Sequence, residues 1–172
     1  MGYGSLNQAI VKGWMSDDDS GNIDRVGHRR WILNPEMGKT GFGMVGSYSA
    51  MYCFDRSGTG HQMNIFWPAQ NMPLEYFADN DPWSVSTGRQ LDKSKIKVTL
   101  TRIADKKTWT FSSKSNKSGY FNVNNDGYGL EGCIIFRPNN IKYKPKDQFK
   151  VKISGLPDGN LEYDVTFFKA GI

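Results

Sequence analysis

Val26-Gly27-His28-Arg29-Arg30-Trp31-Ile32-Leu33-Asn34-Pro35 is followed after four residues by Thr40-Gly41-Phe42-Gly43. The first run has the composition of a short helical segment over residues 26–33, with Asp24 placed to cap it. Asn34-Pro35 ends it, because the residue before a proline avoids helical dihedrals. The chain then changes character. Three β-like stretches, residues 40–45, 50–54 and 62–67, are separated by Gly46, Ser47, Ser57, Gly58 and Gly60, which predicts antiparallel hairpins.

Toward the N-terminus, Leu6, Ala9, Ile10 and Trp14 recur at helical spacing. Residues 5–16 are therefore predicted to form an amphipathic helix with Ser5 as N-cap. Asp17, Asp18 and Asp19 crowd its C-terminal end, where carboxylates oppose the helix dipole. A positive group is expected beside them: Arg25, Arg29, Arg30 or a cation.

Toward the C-terminus, residues 68–92 lose the alternation and carry Pro68, Pro73 and Pro82, so they read as a connecting segment. From Lys95 the pattern has period two: Ile96, Val98, Leu100; Trp109, Phe111; Phe121, Val123; a run at 133–136; Phe149, Val151, Ile153; and Leu161, Tyr163, Val165, Phe167. Turn signals such as Asn125-Asp126-Gly127 and Pro157-Asp158-Gly159 punctuate it. Six or seven short strands of this kind predict an immunoglobulin-like antiparallel β-sandwich over residues 93–172, with Trp109, Ile135, Val151 and Val165 buried.

Composition agrees with a folded protein. The 172 residues are 38% hydrophobic and 13% aromatic. No apolar run approaches the length of a membrane span, and Met1-Gly2-Tyr3-Gly4-Ser5 does not resemble a signal peptide, so any export signal is expected upstream. The net charge of +5 conceals an asymmetry: residues 1–88 hold 6 Lys/Arg against 9 Asp/Glu, and residues 89–172 hold 16 against 8. Lys93, Lys95 and Lys97, like Lys150 and Lys152, alternate with other residues as on the wet face of a half-buried strand. A patch that attracts polyanions is the other reading of the same lysines. Cys53 and Cys133 sit in apolar surroundings without metal-ligand spacing. They are either free buried thiols or a disulfide joining the two halves, the latter worth about 4 kcal/mol on the loop-entropy model.

The quoted run, with its Gly-His pair, its Leu-Asn end and the Gly-x-Gly strand after it, resembles the second half of bacterial CAP domains, the superfamily of cysteine-rich secretory and pathogenesis-related proteins. Trp14-Met15-Ser16-Asp17 is similar to that family's Trp-x-x-acid helix end. The resemblance covers about residues 5–67 and implies an α+β fold class: a truncated CAP-like α-β-α module over residues 1–67, a connection over 68–92, and the sandwich over 93–172. It also implies a cleft of two histidines and two acidic residues, which in some members holds a divalent metal such as zinc. His28 matches the second histidine. Asp17 matches an acidic position where Glu is more usual. The first histidine and a Gly-Glu-Asn motif are expected upstream of Met1.

His28 and Asp17 are thus the candidate catalytic and metal-binding residues. Arg29 and Arg30 bias the imidazole toward its neutral form, and a nearby carboxylate would orient its ring. Two ligands alone make a weak metal site, since zinc takes at least three protein groups. His61 has no identifiable partner. Residues 17–21 lack the acid-x-acid-x-acid order of a calcium loop, Ser84, Ser86 and Ser112 lie in no nucleophile elbow, and no nucleic-acid-binding module is recognisable.

The resemblance implies an extracellular binding or interaction protein at the cell surface or on secreted ligands, with a cell-wall polymer, a glycan, a protein or a second copy as partner. The rival is a metal-assisted hydrolase whose cleft is completed by residues upstream. A third reading makes the sandwich a spacer whose basic half meets anionic wall polymer. Without the upstream half, strand faces around Phe42, Val45, Tyr52 and Phe54 are expected either to be bare, and so to self-associate, or to be covered by the sandwich.

Overall fold

The computed structural model describes residues 4–60, 63–115 and 117–171; His61 and Gln62 lie outside the described residues. Ser5 caps the first helical segment as expected, its hydroxyl accepting the Gln8 N–H at 3.3 Å. That segment is α-helical only over α1 (Leu6–Gln8) and continues as a π-helix over Ala9–Trp14. The second helix, α2 (Gly27–Ile32), ends before Asn34-Pro35. Asp24 does not cap it. Val26 occupies that position with φ +44, a left-handed conformation that a β-branched residue adopts only when its surroundings impose it. Here the imposing force is packing: Val26 is fully buried against Cys133, Ile135 and Tyr120.

Next comes a two-stranded antiparallel hairpin, β1 (Gly41–Val45) and β2 (Tyr48–Tyr52), with Val45 opposite Tyr48 and Gly41 opposite Tyr52. No residue of either strand is buried. The layered arrangement of helices over a sheet expected for residues 1–67 is not assembled among the described residues, and the sandwich does not cover the hairpin. The third predicted stretch leaves the hairpin altogether. As β3 (Ile65–Trp67) it pairs with β5 (Trp83–Ser86) inside the larger body of the molecule.

That body is two packed sheets. In the four-stranded sheet β3 lies beside β5, then β9 (Cys133–Pro138) and β8 (Gly119–Asn124). In the five-stranded sheet β4 (Asn71–Pro73) leads to β11 (Gly159–Phe168), β10 (Gln148–Leu156), β6 (Lys97–Arg102) and β7 (Thr108–Ser112). Two features depart from expectation. The segment 68–92, expected as a connection, supplies β4 and β5, one to each sheet. The sandwich is also not wholly antiparallel, because β4 runs parallel to β11.

Period-two alternation explains the rest. Val98, Leu100, Phe149, Val151, Val165 and Phe167 turn inward and meet Trp83, Val85, Ile134 and Phe136 of the facing sheet in one core. Trp83 anchors it, stacked on Phe136 at 5.8 Å and edge-on to Phe149 at 5.7 Å, with its indole N–H donating to Tyr143 Oη at 2.7 Å. On the outer face, Lys150 and Lys152 pair with Glu162 at 2.8 and 2.9 Å across β10 and β11, a wet face balanced in charge. Trp109, Val151 and Val165 are buried between the sheets as predicted; Ile135 is buried on the opposite side, under Val26. Both cysteines are free thiols. No helix among the described residues is long and apolar enough to cross a membrane.

Candidate functional site

The turn after the π-helix brings Asp17 back toward α2. Asp17 has φ +46, a conformation that the short polar side chain of Asp tolerates, and it is 1% exposed. Its Oδ1 lies 2.7 Å from His28 Nδ1, and its Oδ2 accepts the backbone N–H of Arg29 at 3.1 Å. The two residues singled out from sequence therefore meet, and the groups that compensate Asp17 are the His28 ring and the backbone N–H of Arg29 rather than an arginine side chain as expected. Asp18 and Asp19 go elsewhere: Asp18 accepts from the Asn80 side chain, while Asp19 folds back on Gly21 and Asn22.

The imidazole itself is half exposed, so the pair sits at the rim of the fold with its carboxylate inside. The Asp17 hydrogen bond raises the His28 pKa above its ordinary 6.5, partly opposed by burial. This corrects the expectation of a neutral ring. Arg29 and Arg30 do not face His28; both guanidinium groups point into the molecule, which leaves the carboxylate to dominate.

Arg29 was missed as an architectural residue by sequence reasoning. It is fully buried, and its guanidinium donates to Met15 O at 2.6 Å, Ser16 O at 2.5 Å, Pro82 O at 2.7 Å and Ser84 Oγ at 3.1 Å. Burial pulls its pKa down to about 10. One side chain thus ties the end of the π-helix, α2 and β5 together. The signal in the sequence was Ser84 and Ser86, small polar residues at alternate positions of a strand whose other positions are Trp83 and Val85. Arg30 performs the same task toward β8, donating to Asn124 Oδ1 at 2.6 Å and to the carbonyls of Leu130 and Asp126. Its guanidinium also lies 5.3 Å from the centre of the Tyr128 ring, against which Gly27 packs so closely that a Cβ would come within 3.1 Å.

Asp17 spends both oxygens on His28 and Arg29. It therefore orients the ring, as a carboxylate behind a metal-binding histidine does, and leaves Nε2 as the ring nitrogen without a hydrogen-bond partner among the described residues. No group of three His, Cys, Asp or Glu side chains among the described residues is arranged to hold a metal ion. One imidazole nitrogen does not make a zinc site, so the residues present do not fit that metal by themselves. What the pair can do unaided is hold a proton at Nδ1 and present Nε2 outward.

A second feature lies at the base of the hairpin. Trp31 of α2 meets Phe54 edge-on at 5.3 Å, Phe54 meets Tyr52 at 6.4 Å, and the Arg56 guanidinium lies 5.5 Å from the centre of the Trp31 ring. From there the hairpin extends Tyr52, Tyr48 and Val45 on one face, all strongly exposed, with Tyr48 at 84%.

Comparison with known proteins gives three results. Residues 2–68 match the model of the cysteine-rich secretory protein family, CAP. No curated protein matches the chain. Among solved structures, the archaellum periplasmic stator protein complex FlaF and FlaG from Sulfolobus acidocaldarius is similar at 13% identity and a TM-score of 0.34, over 48% of this chain and 74% of that one.

Proposed function

We propose that this chain is an extracellular binding module, in which a CAP-type segment is carried on an immunoglobulin-like sandwich and engages a glycan or protein at the cell surface or among secreted ligands. The family match to residues 2–68 supports the extracellular setting. The observation that carries the binding reading is the aromatic strip of the hairpin, in which Tyr52 and Tyr48 stand exposed on a strand that buries nothing and Phe54 stands exposed just beyond its end. Exposed apolar surface of this kind marks an interaction site, and aromatic rings with a polar edge suit sugar faces and protein anchors alike. Co-sedimentation with isolated cell walls tests it. The chain is expected to sediment with the walls, and Tyr48→Ser with Tyr52→Ser to weaken that by about tenfold, or 1.4 kcal/mol, without changing the melting temperature. Equal binding by the variant, or none by the parent, overturns the reading.

A second reading rests on the Asp17–His28 hydrogen bond. A half-exposed imidazole oriented by a buried carboxylate has the form of a general base, and a hydrolase whose cleft takes further residues from outside this chain would use it. Turnover of ester or amide substrates that His28→Gln abolishes would establish catalysis in place of simple binding.

A further inference from the structure

Six of the sixteen Lys and Arg residues in 89–172 are neutralised in place. Arg89 pairs with Asp158, Lys95 with Asp92, Arg102 with Asp105, Lys142 with Asp79, and Lys150 and Lys152 with Glu162. The lysines left over stand at both ends of the sandwich, with Lys106, Lys107, Lys144 and Lys146 in the loops that follow β6 and precede β10. Lys93, Lys97 and Lys114 have no acidic partner among the described residues and gather at one end of the sandwich, where β6 begins and β7 ends; Lys97 stands directly across from Ser112. At that end a cleft of about 360 Å³ is lined by Lys93, Ser112, Ser113, Lys114, Ser115 and Phe121. Its lining residues are two lysines, three serines and one phenylalanine, with no Asp or Glu among them. Lys93 is steadied by Asn122 Oδ1 at 2.7 Å, a neutral acceptor that leaves its charge intact.

We infer that this cleft binds an anionic polysaccharide, with Lys93 and Lys114 meeting the charged group, the serine hydroxyls completing its hydrogen bonds, and the Phe121 ring lying under the sugar. Charge alone would attract any polyanion, but hydroxyls and a ring beside paired ammonium groups add the contacts that a charged sugar offers and a bare inorganic chain does not. The inference stands apart from the hairpin and the Asp17–His28 pair, and it fails or holds independently of either.

Affinity electrophoresis and calorimetry with heparin, polygalacturonate, inorganic polyphosphate and single-stranded DNA, at about 50 mM salt to limit screening, test it. Polygalacturonate carries carboxylate alone and heparin carries sulfate in addition, so binding of heparin without polygalacturonate assigns the charged group to sulfate. Lys93→Gln with Lys114→Gln is expected to weaken binding of one of these two polysaccharides by about tenfold. Lys144→Gln with Lys146→Gln removes the same charge from the loop before β10, at the other end of the sandwich, and is expected to weaken it by less than about threefold. All four lysines are exposed, so both variants are expected to keep the parent melting temperature. Ser113→Ala is expected to weaken polysaccharide binding with no change of charge. Equal losses in the two lysine variants, or polyphosphate or DNA binding as tightly as the polysaccharides, would reduce the cleft to unspecific charge and overturn the inference.

Discussion

His28 Nδ1 lies 2.7 Å from Oδ1 of Asp17, joining a half-exposed ring on α2 to a carboxylate buried eleven residues earlier in the chain. Asp17 is thereby the reason that His28 holds its proton above the ordinary 6.5. Folding binds that proton more tightly than the unfolded chain does. The pair's contribution to stability is therefore complete below about pH 6.5 and is lost as pH rises through the higher folded value. A proton NMR titration of the His28 ring is expected to show a midpoint above 6.5. In Asp17→Asn, where burial is the main remaining influence, the midpoint is expected to fall below it.

Arg29 is the residue on which the docking of the N-terminal segment depends. Replacing it by Met leaves the carbonyls of Met15, Ser16 and Pro82 short of a donor in a dry interior. Unsatisfied buried groups cost about 1–3 kcal/mol each, so Arg29→Met is expected to lower stability in urea by at least about 3 kcal/mol. Hydrogen exchange over residues 5–34 is expected to accelerate more than exchange in β9 or β10.

Tyr143→Phe tests the core. The phenol accepts the Trp83 indole N–H at 2.7 Å, and Trp83 is wholly enclosed. Phe keeps the ring contacts with Phe167 and Phe149 but removes the acceptor. The expected loss is about 1–3 kcal/mol, read by denaturant unfolding, with the tryptophan emission of the folded state also shifted.

The hairpin predicts self-association. Neither β1 nor β2 carries a charge, a proline or a bulge, and each keeps one edge unpaired, which is the condition under which strands add to one another. Light scattering is expected to show a mass that rises with concentration, and Val45→Lys to return the chain to a monomer. A monomer at every concentration in the unaltered chain would show that the edges do not pair.

The family match of residues 2–68 and the sandwich strands were legible because they are carried locally: a Gly-His pair and an Asn-Pro stop within ten residues, and alternation within five or six. Val98, Phe149 and Val165 announce a buried face by period alone. The Asp17–His28 pair was singled out for a different reason, the resemblance of its two motifs to a known family, whereas the charge argument at the helix end pointed to an arginine or a cation. Arg29 was not legible. A guanidinium reads as solvent-facing until the carbonyls and hydroxyl that satisfy it are known, and these come from residues 15, 16, 82 and 84. Proline-rich residues 68–92 misled for a related reason: β4 is three residues long at a sheet edge, where proline is tolerated, and its pairing partner lies almost a hundred residues away.

From sequence alone came which residues turn inward and where helices stop, because each follows from local periodicity or local stop signals, and the motif resemblance added which histidine and carboxylate to watch. Tertiary structure alone decided what the inward faces meet. It sent β3 to the sandwich and left β1 and β2 in the open, and it buried Val26 in a left-handed conformation beneath the outer face of β9. Pairing across long stretches of chain is settled by competition among surfaces for burial, and no single stretch contains the terms of that competition.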